Sequence, residues 1–320
     1  MHNTTHTEEK SIVHGDLSSR DNHARSLRAE SANIYTPRLL IQELPAKDLK
    51  CITSTKLMES LTEKPAYINQ FLKVVSQNNH ENYRLFRYLG GSNFHEVAIA
   101  PLFNCFSPYN LEQEMALDLL LDDSVELVSL IGKAGTGKTF LVMLAGLIKV
   151  LQEKSHRAIM VTRPTVSLGP DIGFLPGDVL EKIESWMYPI FDNIGMIGSH
   201  LKKMKAPLTV SAEALRKANQ LSLQAMTCMR GRSLPHQFFF IDEAQNLTPL
   251  ELKTLITRAG KGTKVIIAGD PEQIDTHKLT YHSNGLMVTT NRFMNEKLFG
   301  VVHLHKSERS GLAQKAAELL

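Results

Sequence analysis

Fold and chemistry in this 320-residue chain are set first by the octapeptide Gly132-Lys133-Ala134-Gly135-Thr136-Gly137-Lys138-Thr139, a complete Walker A pattern. It lies between an apolar run at 125–131, expected as a strand, and a strongly apolar stretch at 140–151, expected as a helix. The glycines let successive backbone N–H groups converge on an anion, and the following helix adds the positive end of its dipole. In such a loop Lys138 supplies charge for the β- and γ-phosphates, and Thr139 supplies a hydroxyl for Mg²⁺. An α/β fold that binds ATP and Mg²⁺ through residues 132–139 is the expectation.

A second signal is Phe238-Phe239-Phe240-Ile241-Asp242-Glu243, an apolar strand ending in two carboxylates. Paired with a Walker A loop, Asp242 is placed to hold the magnesium shell, and Glu243 to orient and deprotonate an attacking water. Gly269-Asp270-Pro271-Glu272-Gln273 follows the next apolar run, at the same carboxyl edge of the sheet. The amide of Gln273 could there bond the γ-phosphate or the water; a plain Asp-Pro turn is the simpler reading.

Further strands are expected at 158–162, 264–268 and 301–304. Helices are expected at 111–121, 178–190 and 249–259, with a last one from about Ser310. Apolar strands alternating with helices imply one parallel sheet covered on both faces, spanning 107–320. Trp186 and Met187 fall at helical spacing with Leu180 and Ile183, as core residues would. His303 and His305 share one face of a strand. Residues 39–106 read as a small α+β segment, with a short helix at 48–61 and strands at 70–75 and 82–87; residues 1–38 read as a disordered polar tail.

The three cysteines lie far apart, which excludes a zinc ribbon or a disulfide framework and fits a reducing compartment. No apolar run approaches a bilayer span and the first residues carry no apolar signal core, so a cytoplasmic protein without a membrane partner is expected. With 36 Lys+Arg against 33 Asp+Glu, net charge does not mark a nucleic-acid binder. Locally the balance differs. Lys202, Lys203, Lys205, Arg216, Lys217, Arg230 and Arg232 face one acid, Glu213, between 195 and 232. Such an excess suits the phosphates of single-stranded RNA or DNA, and equally suits a solvated helical face. No aromatics interleave, so a base-stacking platform is not indicated.

Taken together, these residues resemble the PhoH-like ATPases, whose RecA-like core is similar to that of superfamily 1 helicases. The resemblance rests on the Walker A loop, Arg163-Pro164, Asp171-Ile172-Gly173-Phe174-Leu175-Pro176-Gly177 and Arg230-Gly231-Arg232-Ser233-Leu234. It continues through Asp242-Glu243-Ala244-Gln245-Asn246, Lys253-Thr254 with Thr257-Arg258, Gly269-Asp270 with Gln273-Ile274-Asp275, and Glu308-Arg309-Ser310. Many bacterial members look like fusions to an upstream PIN nuclease. The acids before residue 107 show no metal-binding cluster, so nuclease activity is not carried over, although 69–97 resembles the small β segment of those fusions.

The resemblance implies an RNA-associated motor or remodelling ATPase, with Arg163 joining the nucleic-acid candidates. It further implies that Tyr109, Asn110 and Gln113 meet the adenine, although Gln113 could equally be a surface residue of an amphipathic helix. Arg309, in the segment resembling the C-terminal signature, is expected as an arginine finger acting on a neighbouring subunit of a homo-oligomeric ring; Arg163 and Arg258 are its rivals. A regulatory switch reading nucleotide occupancy and a P-loop small-molecule kinase stay open as alternatives. The D-E-A-Q and G-D-x-x-Q strings disfavour the kinase, which needs no water-directing carboxylate.

Overall fold

The computed structural model describes residues 39–164 and 186–308, with gaps at 50, 60, 62–65, 78 and 230, together with Leu312 and Lys315. The stretch expected as a disordered tail, the D-I-G-F-L-P-G string, Arg230 and Arg309 therefore lie outside the described residues. So does most of the helix expected after Ser310.

The N-terminal part is a four-stranded sheet in the order β1-β2-β3-β4: β1 (Leu40–Leu44), β2 (Phe71–Ser76), β3 (Asn79–Gly90) and β4 (Asn93–Glu96). β1 is parallel to β2 and the remaining pairs are antiparallel. Period-two alternation divides β2 and β3 between two faces. Leu72, Val74 and Phe86 pack with Leu49 of α1 (Ala46–Leu49) and Leu57 of α2 (Ser54–Glu59), while Phe71 and Leu85 join the main core. The single helix expected at 48–61 is thus two short ones.

This sheet grips α3 (Leu111–Leu121) through polar groups spaced four residues apart on one helix face. The Tyr83 hydroxyl donates to Glu114 at 3.0 Å, and Arg87 pairs with Asp118 at 2.7 Å and with Asp122. Arg87 is 2% exposed and also donates to Asn69, whose amide donates in turn to the Phe299 carbonyl. Burying a guanidinium is tolerable here because carboxylates and an amide surround it.

The main sheet has six parallel strands: β5 (Leu127–Gly132), β6 (Ala158–Thr162), β7 (Leu221–Leu223), β8 (Gln237–Ile241), β9 (Lys264–Gly269) and β10 (Phe299–Leu304). Their order is β10-β5-β9-β8-β6-β7. The strands are apolar because helices cover both faces. Phe238, Phe239, Phe240 and Ile241 are fully buried, each side chain stabilising the fold by about 2 kcal/mol. β9 lies between β5 and β8, which separates the ends of those two by roughly 10 Å, two strand spacings.

The covering helices are α4 (Lys138–Leu147), extended by a π-helical turn to Gln152, α5 (Tyr188–Lys203), α6 (Ala212–Lys217), α7 (Pro249–Ile256) and α8 (Gly285–Phe293). Most of the helix expected at 178–190 lies outside the described residues, which resume at 186; α5 starts where Pro189 sits in the first turn, its fixed φ suiting a helix start. Its buried stripe, Ile190, Ile194, Ile197 and Leu201, follows the 3.6 period. The strands β1, β4 and β7 and the helix α8 were not expected from the sequence. Met187 is buried, as expected of a core residue. Among the described residues no helix is long and apolar enough to cross a membrane, no three or more His, Cys, Asp or Glu residues are grouped to hold a metal, and the three cysteines are free.

Candidate nucleotide site

All strands of the main sheet run parallel, so their carboxyl ends, and the turns after them, gather at one edge. The Walker A residues form the turn from β5 into α4. Gly135 and Gly137 have φ of 85° and 91°, the left-handed conformation that lets this loop curl with its amides inward. Thr136 locks the turn by donating its hydroxyl to the Lys133 carbonyl at 2.9 Å. The Lys138 ammonium lies against the carbonyls of Gly132 and Lys133, the latter at 3.0 Å. Lys133 itself points outward to Glu272 at 3.0 Å, both side chains well exposed.

A cleft of about 250 Å³ opens beside this turn. Ala134, Gly135, Gly137, Lys138 and Thr139 line it together with Asp242, Glu243, Asp270 and Gln273, which fall far apart in the sequence. Phe140 and Asn193 complete the wall. No sequence signal marks Asn193, which stands in α5 outside any motif.

Asp242 and Glu243 are adjacent but differ in surroundings. Asp242 continues β8, donating its backbone N–H to the Thr162 carbonyl, and is 3% exposed. Burial, and then the Glu243 carboxylate beside it, push the Asp242 pKa up to about 6; the charges of Arg163 and Lys138 pull the other way. A buried carboxylate under that pressure, with the Thr139 hydroxyl on the same cleft, is a hard-oxygen donor set of the kind Mg²⁺ takes while keeping most of its waters. Glu243 turns the chain through φ 51°, a strained conformation for a residue with a β-carbon, and so aims its carboxylate into the cleft.

The Glu243 carboxylate is held at both oxygens. Oε1 accepts from Arg163 Nη2 at 3.0 Å, and Oε2 accepts from Gln245 Nε2 at 2.7 Å. Gln245, 1% exposed, also donates to the Gln273 carbonyl at 2.9 Å and accepts from the Asp270 N–H at 3.2 Å. Asn246 repeats the pattern one residue on, exchanging bonds with the Asp275 side chain (3.2 Å) and backbone (2.8 Å). The D-E-A-Q-N string is therefore stitched to the G-D-P-E-Q turn across the sheet edge. A β-carbon on Gly269 would collide with the Gln245 side chain.

The N-terminus of α3 approaches from another side. Asn110 caps this helix by accepting from Gln113 N at 3.0 Å, and its amide donates to Glu308 at 2.9 Å. Gln113 is buried, accepts from Tyr109 N at 3.0 Å and lies against Gly137, whereas the Tyr109 side chain is 79% exposed. The Glu308 N–H donates to the Gly135 carbonyl at 3.0 Å, so the residue preceding Arg309 is fastened to the phosphate loop.

The nucleic-acid candidates divide. Lys202, Lys203, Lys205 and Arg232 are exposed, as are Arg216 and Lys217, and the helices α5 and α6 that carry most of them touch. Arg163 differs from these: it is mostly buried and its guanidinium pairs with Glu243. His305 accompanies Glu112, at 3.1 Å, and His303, shielded within the sheet, is held well below the ordinary histidine range, at about 4.

Residues 106–320 match the family model described as PhoH-like protein. The chain is 49% identical over 213 residues to Protein PhoH2 of Bacillus subtilis (strain 168), covering 67% of this chain and 47% of that protein. It is 39% identical over 210 residues to Protein PhoH2 of Mycolicibacterium smegmatis, covering 65% and 46%. The chain thus spans about half the length of these curated relatives. Among solved structures it is similar to the Pif1 helicase of Candida albicans, at 19% identity and a TM-score of 0.33 over 67% of this chain and 43% of that one. The chain belongs to the PhoH-like protein family.

Proposed function

We propose that this chain hydrolyses ATP, with Mg²⁺, by in-line attack of water on the γ-phosphate, and that it works as an RNA-associated motor or remodelling ATPase. The observation that carries the reading is the meeting of Lys138, Thr139, Asp242, Glu243 and Gln273 around one cleft. The loop amides and Lys138 bind the phosphates. Thr139 and Asp242 would hold the metal, which supplies neutralisation of the charge that develops on the β- and γ-oxygens. Glu243 takes the proton of the attacking water, and Gln273 contacts that water or the γ-phosphate. Asn110 and Gln113 meet the adenine edge, with the exposed Tyr109 ring beside them.

Lys202, Lys203 and Lys205, with Arg230 and Arg232, take the RNA backbone. Arg309 serves as the finger in a neighbouring site of an oligomeric ring. Mixing Arg309→Ala with Lys138→Ala subunits tests the latter: recovered turnover supports action in trans, and no recovery in a chain shown to oligomerise refutes it. The function as a whole is tested by ATP turnover with and without single-stranded RNA across salt concentrations. Stimulation that fades with salt is expected. Turnover indifferent to RNA would favour the occupancy switch, and negligible turnover without a small-molecule acceptor would favour the kinase.

A further inference from the structure

Arg163 occupies an unusual place in this site. It follows β6, the strand next to β8, so its side chain reaches the end of the strand that carries Asp242 and Glu243. One guanidinium nitrogen holds Glu243 Oε1 at 3.0 Å and the other donates to the Trp186 carbonyl at 3.2 Å, at the entry to α5. The side chain is 22% exposed and is not part of the cleft wall. It stands one hydrogen bond behind the residue that faces the nucleotide.

A carboxylate has about four acceptor positions on its two oxygens. Arg163 and Gln245 each take one, on different oxygens, which stops the carboxylate from rotating and leaves positions on both oxygens for a water. The planar guanidinium fixes direction as well as charge, because its donors form a rigid fork. We infer that Arg163 is a positioning residue for hydrolysis, one that acts through Glu243 by fixing its carboxylate against the entry of α5. The inference rests on the proposed ATPase reading and adds to it a role that neither a nucleic-acid contact nor an arginine finger would give Arg163.

The test is a double-mutant cycle on ATP turnover, with ADP affinity and the unfolding midpoint measured alongside. Misplacing a reacting group by about 1 Å costs on the order of 100-fold. Arg163→Ala should therefore lower kcat by roughly 10- to 100-fold, with KM for ATP and Kd for ADP within about threefold of wild type. Arg163→Lys, which keeps the charge and one donor, should recover part of the loss and guards against a variant that fails to fold. In the Glu243→Gln background, single-turnover measurement should find no further loss on adding Arg163→Ala, because the two residues act as a unit. An unchanged kcat in Arg163→Ala overturns the inference. So does an equal loss in the Glu243→Gln background, which would mean that Arg163 acts on the nucleotide directly. A wild-type chain that does not turn over ATP overturns the proposed function, and this inference with it.

Discussion

The side-chain amide of Gln245 donates to the Glu243 carboxylate at 2.7 Å and, from the same nitrogen, to the Gln273 carbonyl at 2.9 Å. One buried side chain thereby fixes the candidate base and the backbone of the candidate γ-phosphate sensor in a common frame.

Gln245→Ala should break that frame. It strands the Asp270 N–H and the Gln273 carbonyl, which costs about 1–3 kcal/mol of stability, readable by denaturant unfolding. Turnover should fall by roughly tenfold with nucleotide affinity little changed, since Gln245 does not line the cleft. Wild-type stability and kcat in this variant would show that the contacts carry no weight.

Lys138→Ala and Glu243→Gln should separate binding from chemistry. Lys138 meets ground-state phosphates, so its loss should abolish tight ATP binding. Glu243 acts on the water, so its loss should leave binding intact and slow turnover by about 100- to 1,000-fold. Titration with a fluorescent nucleotide and steady-state turnover read the two effects independently.

Replacing Lys202, Lys203 and Lys205 with Glu should weaken single-stranded RNA binding and leave RNA-free ATP affinity nearly unchanged. Each lost phosphate contact should flatten the log–log salt dependence by about 0.7 of a unit on a single strand. Unchanged affinity and slope would return these lysines to a solvated helix face.

Lys264, at the start of β9, offers a stability test away from the site. Burial pushes its pKa down to about 7 from 10.5, and its ammonium donates to the carbonyls of Val125 and, at 2.7 Å, Asp122. Between those pKa values the unfolded chain holds a proton that the folded chain has released. Stability therefore rises with pH from 7 to 10 by up to about 1.4 kcal/mol per unit, while below pH 7 the full cost of the buried charge is present. Lys264→Met leaves the two carbonyls unpaired at every pH but removes this slope. Parallel pH profiles for the two proteins would contradict the assignment.

What the sequence disclosed, and what it hid, follows from how local each signal is. The Walker A loop is eight consecutive residues between a strand and a helix, and its function depends on their backbone conformation, so it could be read directly. Asp242 and Glu243 were legible because an apolar strand announces its own end. The pairing of Arg163 with Glu243 spans 80 residues and depends on β6 lying beside β8, which no local pattern encodes. Gln245 was visible in the D-E-A-Q string, but two of its three partners, Asp270 and Gln273, come from the turn after a different strand. The helix α5 contains Pro189, Gly195 and Gly198, residues of low helix propensity, and it is its regular Ile190-Ile194-Ile197-Leu201 stripe packed in the core that holds it. The helix α8, with a glycine, a valine and two threonines, has weak intrinsic propensity and is held by the buried cap Asn284, which accepts from Met287 N at 3.0 Å.

In the proposed mechanism Glu243, at the edge of a P-loop cleft, directs water onto ATP. The most direct measurement is phosphate release from ATP with Mg²⁺ by wild type and by Glu243→Gln, with ATP binding confirmed for both. Steady release by wild type and a loss of about 100- to 1,000-fold in the variant, at comparable ATP affinity, are expected. Equal release by the two proteins would contradict the mechanism.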